Sequence, residues 1–339
     1  MADYRGIKGF NIQSLASDPS ANTNTEGQVW YNTSGKVLKG VAKVAGVGSW
    51  ASGGALNTAR RSMSGTGSQT AALIVGGQPP PSAGLAITET YNGTAWTEVA
   101  DLNSARTGVG QNQVGTSTAA QIQGGASPSF VDICEQYNGT SWTETADLLA
   151  NRGYAVGAGT TTAALAYGGS VNQPTDTAAV ESWNGTSWSE TTDINTARRY
   201  VTGGGPQTAA ILFAGAPYVA LTETWNGTAW TEVADLNTAR QDGSGITGSS
   251  ATTSALMVGG FENVPVASTV TAKVEQWDGT SWSEQADIAT ARGQAGGNGA
   301  ATTTAGLIAG GHPPGTGQAL CEEWTVAAAT YGVKTFTSS

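Results

Sequence analysis

Three markers that each recur six times predict an all-β fold, a six-bladed β-propeller with four antiparallel strands per blade. The first marker is a Trp followed ten residues later by an Arg, and successive Trp residues are 42 to 52 positions apart. Repeats of about 45–50 residues are typical of four-stranded propeller blades. The marker residues are Trp50, Trp96, Trp142, Trp188, Trp230 and Trp282, with Arg60, Arg106, Arg152, Arg198, Arg240 and Arg292.

The other two markers are a short apolar run closed by glycine, such as TAALIVGG, and the triplet Glu-x-Tyr/Trp. They divide each unit into four strands. The Gly-rich stretch after Arg is expected innermost, where backbones crowd together. The apolar run is the second strand, Glu-x-Tyr/Trp is the third, and the marker Trp begins the fourth. Asn-Gly between the last two strands predicts a type I′ turn.

The two ends of the repeat array are complementary. The last unit ends in EEWTVAAAT and lacks a fourth strand, while the stretch around Trp50 supplies a fourth strand without the other three. We expect residues 47–52 to pair with residues 322–324, a 3+1 closure that removes an exposed sheet edge. The predicted organisation is an N-terminal attachment segment (1–44) with a small hairpin from QVWYN to KVLKG, the propeller (45–326), and a C-terminal tail (327–339).

Resemblances to two known groups of proteins add to this predicted organisation. Double Gly after a buried strand, then Glu-x-Tyr/Trp, Trp and Arg, resembles the kelch repeat, although Ala214-Gly215 replaces the double Gly once. The phrase GQVWYNTSGKVLKG, before a Gly/Thr/Ser-rich region, and the ending VKTFTSS are similar to parts of tail-associated and appendage proteins of tailed marine bacteriophages. This second resemblance implies a virion structural protein (tail fibre, appendage or decoration), assembled in the host cytoplasm. Its expected partners are other virion proteins, bound through the N-terminal segment, and a host-surface glycan or protein.

Composition disfavours several other classes of function. The net charge is −10 and only 12% of residues are charged, whereas phosphate binding needs clustered Lys and Arg, so no nucleic-acid partner is expected. No apolar run reaches the length of a membrane span, so no membrane insertion is expected. His312 is the single histidine, and no nucleophile motif surrounds it. We therefore expect no enzyme, no metal and no cofactor; the alternative is a lectin-like propeller or a glycan-degrading enzyme unrelated to a virion.

Repeated polar residues have both a functional and a structural interpretation. The six Arg, with an Asp five residues before five of them, could line a charged axial site, but inter-blade ion pairs are favoured, with the repeat Glu residues accepting from Arg or backbone. Asn92, Asn138, Asn184 and Asn226 match glycosylation sequons, yet the equivalent Asp278 keeps only the turn chemistry. The two cysteines, Cys134 and Cys321, fall in non-adjacent blades and are expected to be buried without a disulfide.

The loops after the double Gly differ most among the repeats and are expected to gather on one face. A rigid scaffold that carries unlike loops is a common way to build a binding face. Exposed rings in these loops suit carbohydrate or protein contacts. The candidate binding residues are Phe130, Tyr218, Phe261 and His312.

Overall fold

A computed structural model describes residues 12–79, 83–264, 267–298, 302–312 and 317–336 of the 339-residue chain. The chain divides into two compact units, Met1–Val47 with Val326–Ser339, and Gly48–Thr325. Within the described ranges the protein is all-β, with no α-helix and one short 3-10 turn at Thr23–Thr25. The predicted all-β class is therefore confirmed.

The strands are short, most of them three to six residues. Up to residue 176 they are β1 (Gln13–Leu15), β2 (Val29–Asn32), β3 (Val37–Val44), β4 (Gly48–Ser52), β5 (Ser64–Ser68), β6 (Ala71–Val75), β7 (Thr88–Tyr91), β8 (Trp96–Glu98), β9 (Gln111–Thr116), β10 (Ala119–Gln123), β11 (Cys134–Tyr137), β12 (Trp142–Glu144), β13 (Val156–Thr160), β14 (Ala163–Tyr167), β15 (Ser170–Asn172) and β16 (Thr175–Asp176). After residue 176 they are β17 (Val180–Trp183), β18 (Trp188–Thr191), β19 (Thr202–Gly204), β20 (Ile211–Phe213), β21 (Thr222–Trp225), β22 (Trp230–Val233), β23 (Ser244–Ile246), β24 (Ala255–Val258), β25 (Phe261–Val264), β26 (Ala267–Val270), β27 (Val274–Trp277), β28 (Trp282–Glu284), β29 (Gly296–Gly297), β30 (Ala305–Ala309), β31 (Cys321–Val326) and β32 (Thr330–Thr335).

The smaller unit is a four-stranded sheet made from both ends of the chain, in the order β1-β2-β3-β32. β2 and β3 form an antiparallel hairpin, and β32 pairs with the other edge of β3, with Val44 opposite Thr330. Trp30 is buried in this sheet, and its indole N–H donates to Asp18. The C-terminal residues that the sequence placed in a tail thus include a sheet strand.

The larger unit consists of four-stranded antiparallel arrays with a common strand order. Their orders are β5-β6-β7-β8, β9-β10-β11-β12, β13-β14-β17-β18, β19-β20-β21-β22, β23-β24-β27-β28 and β29-β30-β31-β4. The second and third arrays join into one eight-stranded sheet through parallel pairing of β9 with β13. In the last array the edge strand beside β31 is β4, from the beginning of the unit. The chain therefore has a propeller-like β-fold.

The first strands of the arrays lie against one another. In sequence order, β5 contacts β9, then β13, β19, β23 and β29 follow, and β29 also contacts β5. A Cβ added at Gly65 would lie 2.3 Å from the carbonyl oxygen of Gly297, and one at Gly297 would lie 2.2 Å from that of Gly245. Such distances exclude any side chain, which explains why these strands are rich in glycine.

The Asn-Gly hairpin turns differ from the predicted type I′ geometry. Tyr91 pairs with Trp96, so the loop has four residues, and of these only Gly93 has a positive φ (89°). The Asn92 side-chain oxygen accepts hydrogen bonds from the backbone N–H groups of Thr94 and Ala95, both at 2.9 Å. The side chain organises the loop in place of a second left-handed residue. Asp278 accepts the same two bonds at 2.8 Å, which fits a turn role for the whole sequon-like series.

Each repeat Arg is buried and paired with the Glu of the third strand in the array that follows it. Five Nη–Oε distances range from 2.5 to 3.1 Å, and Arg60 pairs equally closely with Glu89. Glu89 also accepts from the backbone N–H of Asn57. Asn57 lies in the segment between β4 and β5, and we call each such segment before the first strand of an array a link. These ion pairs tie each link to an array and leave the repeat arginines inaccessible to a ligand.

Candidate functional site

The second residue after each repeat Arg forms a group that we call the inner ring. All six members have left-handed backbone, with φ between 53° and 59°, a conformation that is uncommon for residues other than glycine. They precede the innermost strands, where the arrays meet. The inner ring comprises Ser62, Gly108, Tyr154, Tyr200, Asp242 and Gln294.

Backbone hydrogen bonds join inner-ring residues from successive arrays. In four of these bonds the N–H of one residue donates to the carbonyl of the residue one array earlier, and in a fifth Ser62 donates to the last residue, Gln294. The bonds are Ser62 to Gln294 (2.9 Å), Gly108 to Ser62 (3.2 Å), Tyr154 to Gly108 (2.8 Å), Asp242 to Tyr200 (3.0 Å) and Gln294 to Asp242 (2.7 Å). This belt of bonds accompanies the left-handed backbone and brings residues more than 200 positions apart into one cluster.

The inner-ring side chains are half-buried and touch one another. The Tyr154 and Tyr200 rings pack with centroids 4.5 Å apart, and the Gln294 side-chain N–H donates to the Asp242 carboxylate at 3.1 Å. The Arg199 guanidinium lies 5.2 Å from the Tyr200 ring centroid and pairs with Asp176 at 2.6 Å. The cluster thus combines two aromatic faces with an amide, a carboxyl group and an arginine.

Asp242 has an unusual titration. Removal from water raises the pKa of its carboxyl group to about 7, while the bond from Gln294 and the charges of Arg199 and Arg61 lower it less strongly. At neutral pH this group is therefore divided between its acid and carboxylate forms. The acid form donates one hydrogen bond and accepts others, which suits a partner with hydroxyl groups.

Below the inner ring, side chains close the space between the innermost strands. The Gln113 amide N–H donates to the carbonyl of Gly245 at 2.6 Å, and its oxygen accepts from the Thr247 hydroxyl. The Gln111 amide N–H donates to the carbonyl of Ala295 at 2.9 Å. These bonds therefore cross the space between the innermost strands of non-adjacent arrays.

Gln111 also forms the floor of a small chamber beneath the inner ring. The chamber has a volume of about 20 Å³, which is enough for one water molecule. Gln111 is 94% buried, and within the described ranges its side-chain oxygen has no hydrogen-bond partner. The chamber beneath the inner ring thus carries an acceptor without a partner among the described residues.

A shallow depression of about 340 Å³ lies over the inner ring. Its rim includes the first residues of the variable loops, which pair through the backbone with the residue after the repeat Arg, as Phe261 does with Gln241 and His312 with Gly293. The Phe261 and His312 rings lie 6.0 Å apart. We call this depression the axial depression, and we call the inner ring and the axial depression together the mouth.

A larger groove of about 930 Å³ shares Tyr154 and Gln78 with the axial depression. Phe130 lines it and packs edge-on against Tyr154, with centroids 5.7 Å apart. The described residues of its lining are otherwise small, hydroxyl-bearing or amide-bearing, and none of them is charged. We call this feature the loop groove.

The sequence-based candidates are distributed unevenly over these features. Phe261 and His312 line the axial depression and Phe130 lines the loop groove, whereas Tyr218 lines neither cavity. Sequence reasoning missed the inner ring. A signal was present, since the two positions after each repeat Arg read RS, TG, GY, RY, QD and GQ within otherwise similar repeats.

Among the described residues no group of three or more His, Cys, Asp or Glu side chains could hold a metal ion. Cys134 and Cys321 are free and buried, and burial raises the pKa of each thiol to about 12. No helix in the described ranges is long and apolar enough to cross a membrane.

Comparison with known proteins gives a fold relationship. No protein-family model matches the chain, and no curated protein matches it. Among solved structures the chain is similar to one titled "Structure of YjhT", which has a propeller-type fold. The TM-score is 0.67 at 12% identity, over 83% of this chain and 99% of the other. The similarity supports a propeller-like fold for this chain.

Proposed function

We propose that the larger unit is a closed six-bladed propeller of the kelch type, in which β4 completes the last blade as a 3+1 closure. Three observations support this. The innermost strands contact one another in a cycle, inner-ring residues are linked by backbone hydrogen bonds, and β4 lies beside β31. Trp50, on β4, packs against Trp324 on β31 with centroids 5.3 Å apart. Closure leaves no unpaired edge at the point where the repeats end.

We propose further that the protein is a non-enzymatic structural component of a tailed-phage virion, a tail fibre, appendage or decoration that binds the host surface. The observation that carries this proposal is the concentration of unlike side chains at one mouth of an otherwise repetitive scaffold. The inner ring, axial depression and loop groove all lie where the variable loops begin. A rigid framework with one differentiated face is suited to recognition.

The smaller unit is the proposed attachment module. It has its own sheet and its own core around Trp30, Leu38 and Val41, and it contains the phrase that resembles phage leaders. Other virion proteins are the proposed partners of this unit. The larger unit then remains available for contact with the host.

The available carboxylates favour binding over glycoside hydrolysis. Most glycosidases use two carboxyl groups on either side of the scissile bond. Among the described residues that line the axial depression and the loop groove, Asp242 is the only carboxylic acid. The alternative of a glycan-degrading enzyme therefore lacks its second catalytic group at this site.

Two measurements test the proposed function. Mass spectrometry of purified, gradient-banded particles is expected to detect the chain at a stoichiometry comparable with other tail proteins. The fluorescently labelled full chain is expected to bind host cells, and unlabelled chain is expected to compete. Absence from particles would remove the virion role, and absence of cell binding would remove the host-contact role.

A further inference from the structure

The inner ring carries side chains at a position that suits glycine. All six positions are left-handed, and in a non-glycine residue this conformation costs about 1–2 kcal/mol. The chain has 48 glycines and places one here in Gly108, yet the other five repeats carry a side chain. The belt of backbone hydrogen bonds needs no side chains, yet large ones are present at Tyr154, Tyr200, Asp242 and Gln294. The belt alone therefore does not explain these side chains.

We propose that the axial depression and the loop groove together bind a neutral oligosaccharide, with one terminal sugar unit over the inner ring and the following units in the groove. This inference rests on the proposed function and names the class of its host ligand. The depression, at about 340 Å³, is at the small end of the range of ligand pockets, which suits one sugar ring. Tyr154 lines both cavities, so one chain can pass from the first to the second.

The chemistry of the lining favours hydroxyl groups. The aromatic rings of Tyr154, Tyr200 and Phe261 line the depression, and aromatic rings suit the C–H side of a pyranose. Asp242 and Gln294 lie side by side, as two adjacent hydroxyls require. The side-chain oxygens of Gln294 and Gln111 are buried acceptors without a partner in the described ranges. Hydroxyl donors, carried by a sugar or by water that it retains, would satisfy them.

Charge favours a neutral ligand over an anionic one. Arg199 is already paired with Asp176 at 2.6 Å. Arg61 donates to the Gln78 amide oxygen at 3.0 Å when that amide is oriented to accept. Asp242 contributes negative charge at the same mouth, and the whole chain carries −10. The loop groove adds no charge among its described residues.

The test is a glycan array and saturation-transfer NMR with the full chain, using methyl glycosides of neutral hexoses and the neutral oligosaccharides that the array selects. We expect Gln294→Ala, at the mouth, and Phe130→Ala, in the groove, to raise the Kd about tenfold. Asp242→Asn, which keeps the shape of the side chain, is the second mouth variant should Gln294→Ala unfold. Asp101→Asn, at an exposed position outside both cavities, is the control and is expected to bind as wild type.

The outcomes separate this inference from the host-contact proposal. Neutral glycan binding that is weakened by the mouth and groove variants supports it. Binding that is lost in Tyr218→Ala but retained in the folded mouth and groove variants overturns it and leaves host contact intact. The same conclusion follows if the chain binds host cells, that binding resists removal of surface glycans, and no neutral glycan binds. In that case the ligand is a surface protein.

Discussion

Arg152 and Glu181 form an ion pair 29 residues apart in sequence, with Nη2 and Oε1 separated by 2.7 Å and both side chains almost completely buried. Arg152 also donates to the carbonyls of Ala166 and Ala179. The second oxygen of Glu181 accepts from the backbone N–H of Leu149 at 2.8 Å. Burial lowers the pKa of Arg152 and raises that of Glu181, with each charge opposing the shift of the other. The pair fixes the link before one array onto that array.

Breaking this pair from one side is expected to destabilise the larger unit strongly. Arg152→Met leaves a buried carboxylate, and Glu181→Leu leaves a buried guanidinium, so each is expected to lower the free energy of unfolding by about 3–5 kcal/mol. The double variant leaves neither charge alone. It is expected to cost less than the sum of the two by about 2 kcal/mol. Denaturant unfolding of the four chains measures this coupling.

The matched control is Glu190→Leu. Glu190 lies directly opposite Glu181 on the neighbouring strand but is exposed. Its replacement is expected to change the free energy of unfolding by no more than about 0.5 kcal/mol. If the double variant lost as much free energy of unfolding as the two single variants together, the ion pair would not be what stabilises the link.

The proposed closure gives a second prediction, at Trp50. Its indole N–H donates to the carbonyl of Ala286 at 2.9 Å, and its ring packs against the buried Trp324. Trp50→Ala is expected to lower the free energy of unfolding by about 2 kcal/mol or more, since it removes the ring that joins the first strand of the unit to the last. Leu149→Ala, at a side chain that is 58% exposed, is the control and should be nearly neutral. Equal effects of the two substitutions would argue against the closure.

A third prediction concerns the turn after β7. Asn92→Ala removes the acceptor of two backbone N–H groups and is expected to cost about 1 kcal/mol. Asn92→Asp should be close to neutral, because Asp278 accepts the same two bonds in its own repeat and they lower the pKa of its carboxyl group. Denaturant unfolding at neutral pH compares the three chains. If the Asp variant were as unstable as the Ala variant, the turn role of the sequon-like series would be wrong.

The repeated features were predictable because each repeat provides the same neighbours. The apolar second strand, the Glu-x-Tyr/Trp strand and the burial of Arg with Glu follow from residues that recur at fixed spacing. The mouth was not predictable in this way. Tyr154, Tyr200, Asp242 and Gln294 occupy equivalent positions but differ in chemistry, and they meet only where separate repeats converge. The sequence therefore predicts only a Gly-rich inner strand after each repeat Arg.

Two further features depend on contacts that no local pattern encodes. β32 pairs with β3, although the two strands lie near opposite ends of the sequence. The residues YGVKT contain no pattern that identifies β3 as their partner. The Asn-Gly turns share their sequence with type I′ turns, but a four-residue loop allows the Asn92 side chain to bond the backbone, so only Gly93 is left-handed. The sequence thus predicts a tail where β32 forms and a turn of the wrong type at Asn92, because the rest of the fold selects the geometry in both cases.

The titration of Asp242 gives a prediction with a definite sign. Folding raises the pKa of this carboxyl group from 3.8 to about 7, so the folded chain binds more protons than the unfolded chain between these values. The stability that this group contributes is present below about pH 4 and is lost as the pH rises towards 7. Asp242→Asn removes the titration. Wild type is therefore expected to lose stability relative to the variant between pH 4 and pH 8.

The difference between the two chains isolates this carboxyl group from its neighbours. Arg61, Tyr154, Tyr200 and His312 line the axial depression beside Asp242, and Arg199 lies against the Tyr200 ring. All five residues remain in both chains, so the comparison changes only the group at position 242. Denaturation midpoints at pH 4.5, 6 and 8 provide the measurement. A difference that stayed constant with pH, or that changed in favour of wild type at high pH, would show that Asp242 is not desolvated in the folded chain.

The left-handed backbone of the inner ring predicts a reversal of the usual order of glycine and alanine. At an ordinary strand position glycine is less stable than alanine. At Gln294, where φ is 58°, the Cβ of alanine retains the strain while glycine relieves it. Gln294→Gly is therefore expected to be more stable than Gln294→Ala by about 1 kcal/mol, and at least comparable in stability with wild type. Both variants should lose glycan binding to the same extent, because both lack the Gln294 side chain. Equal loss of binding with unequal stability would show that this side chain serves recognition and not folding.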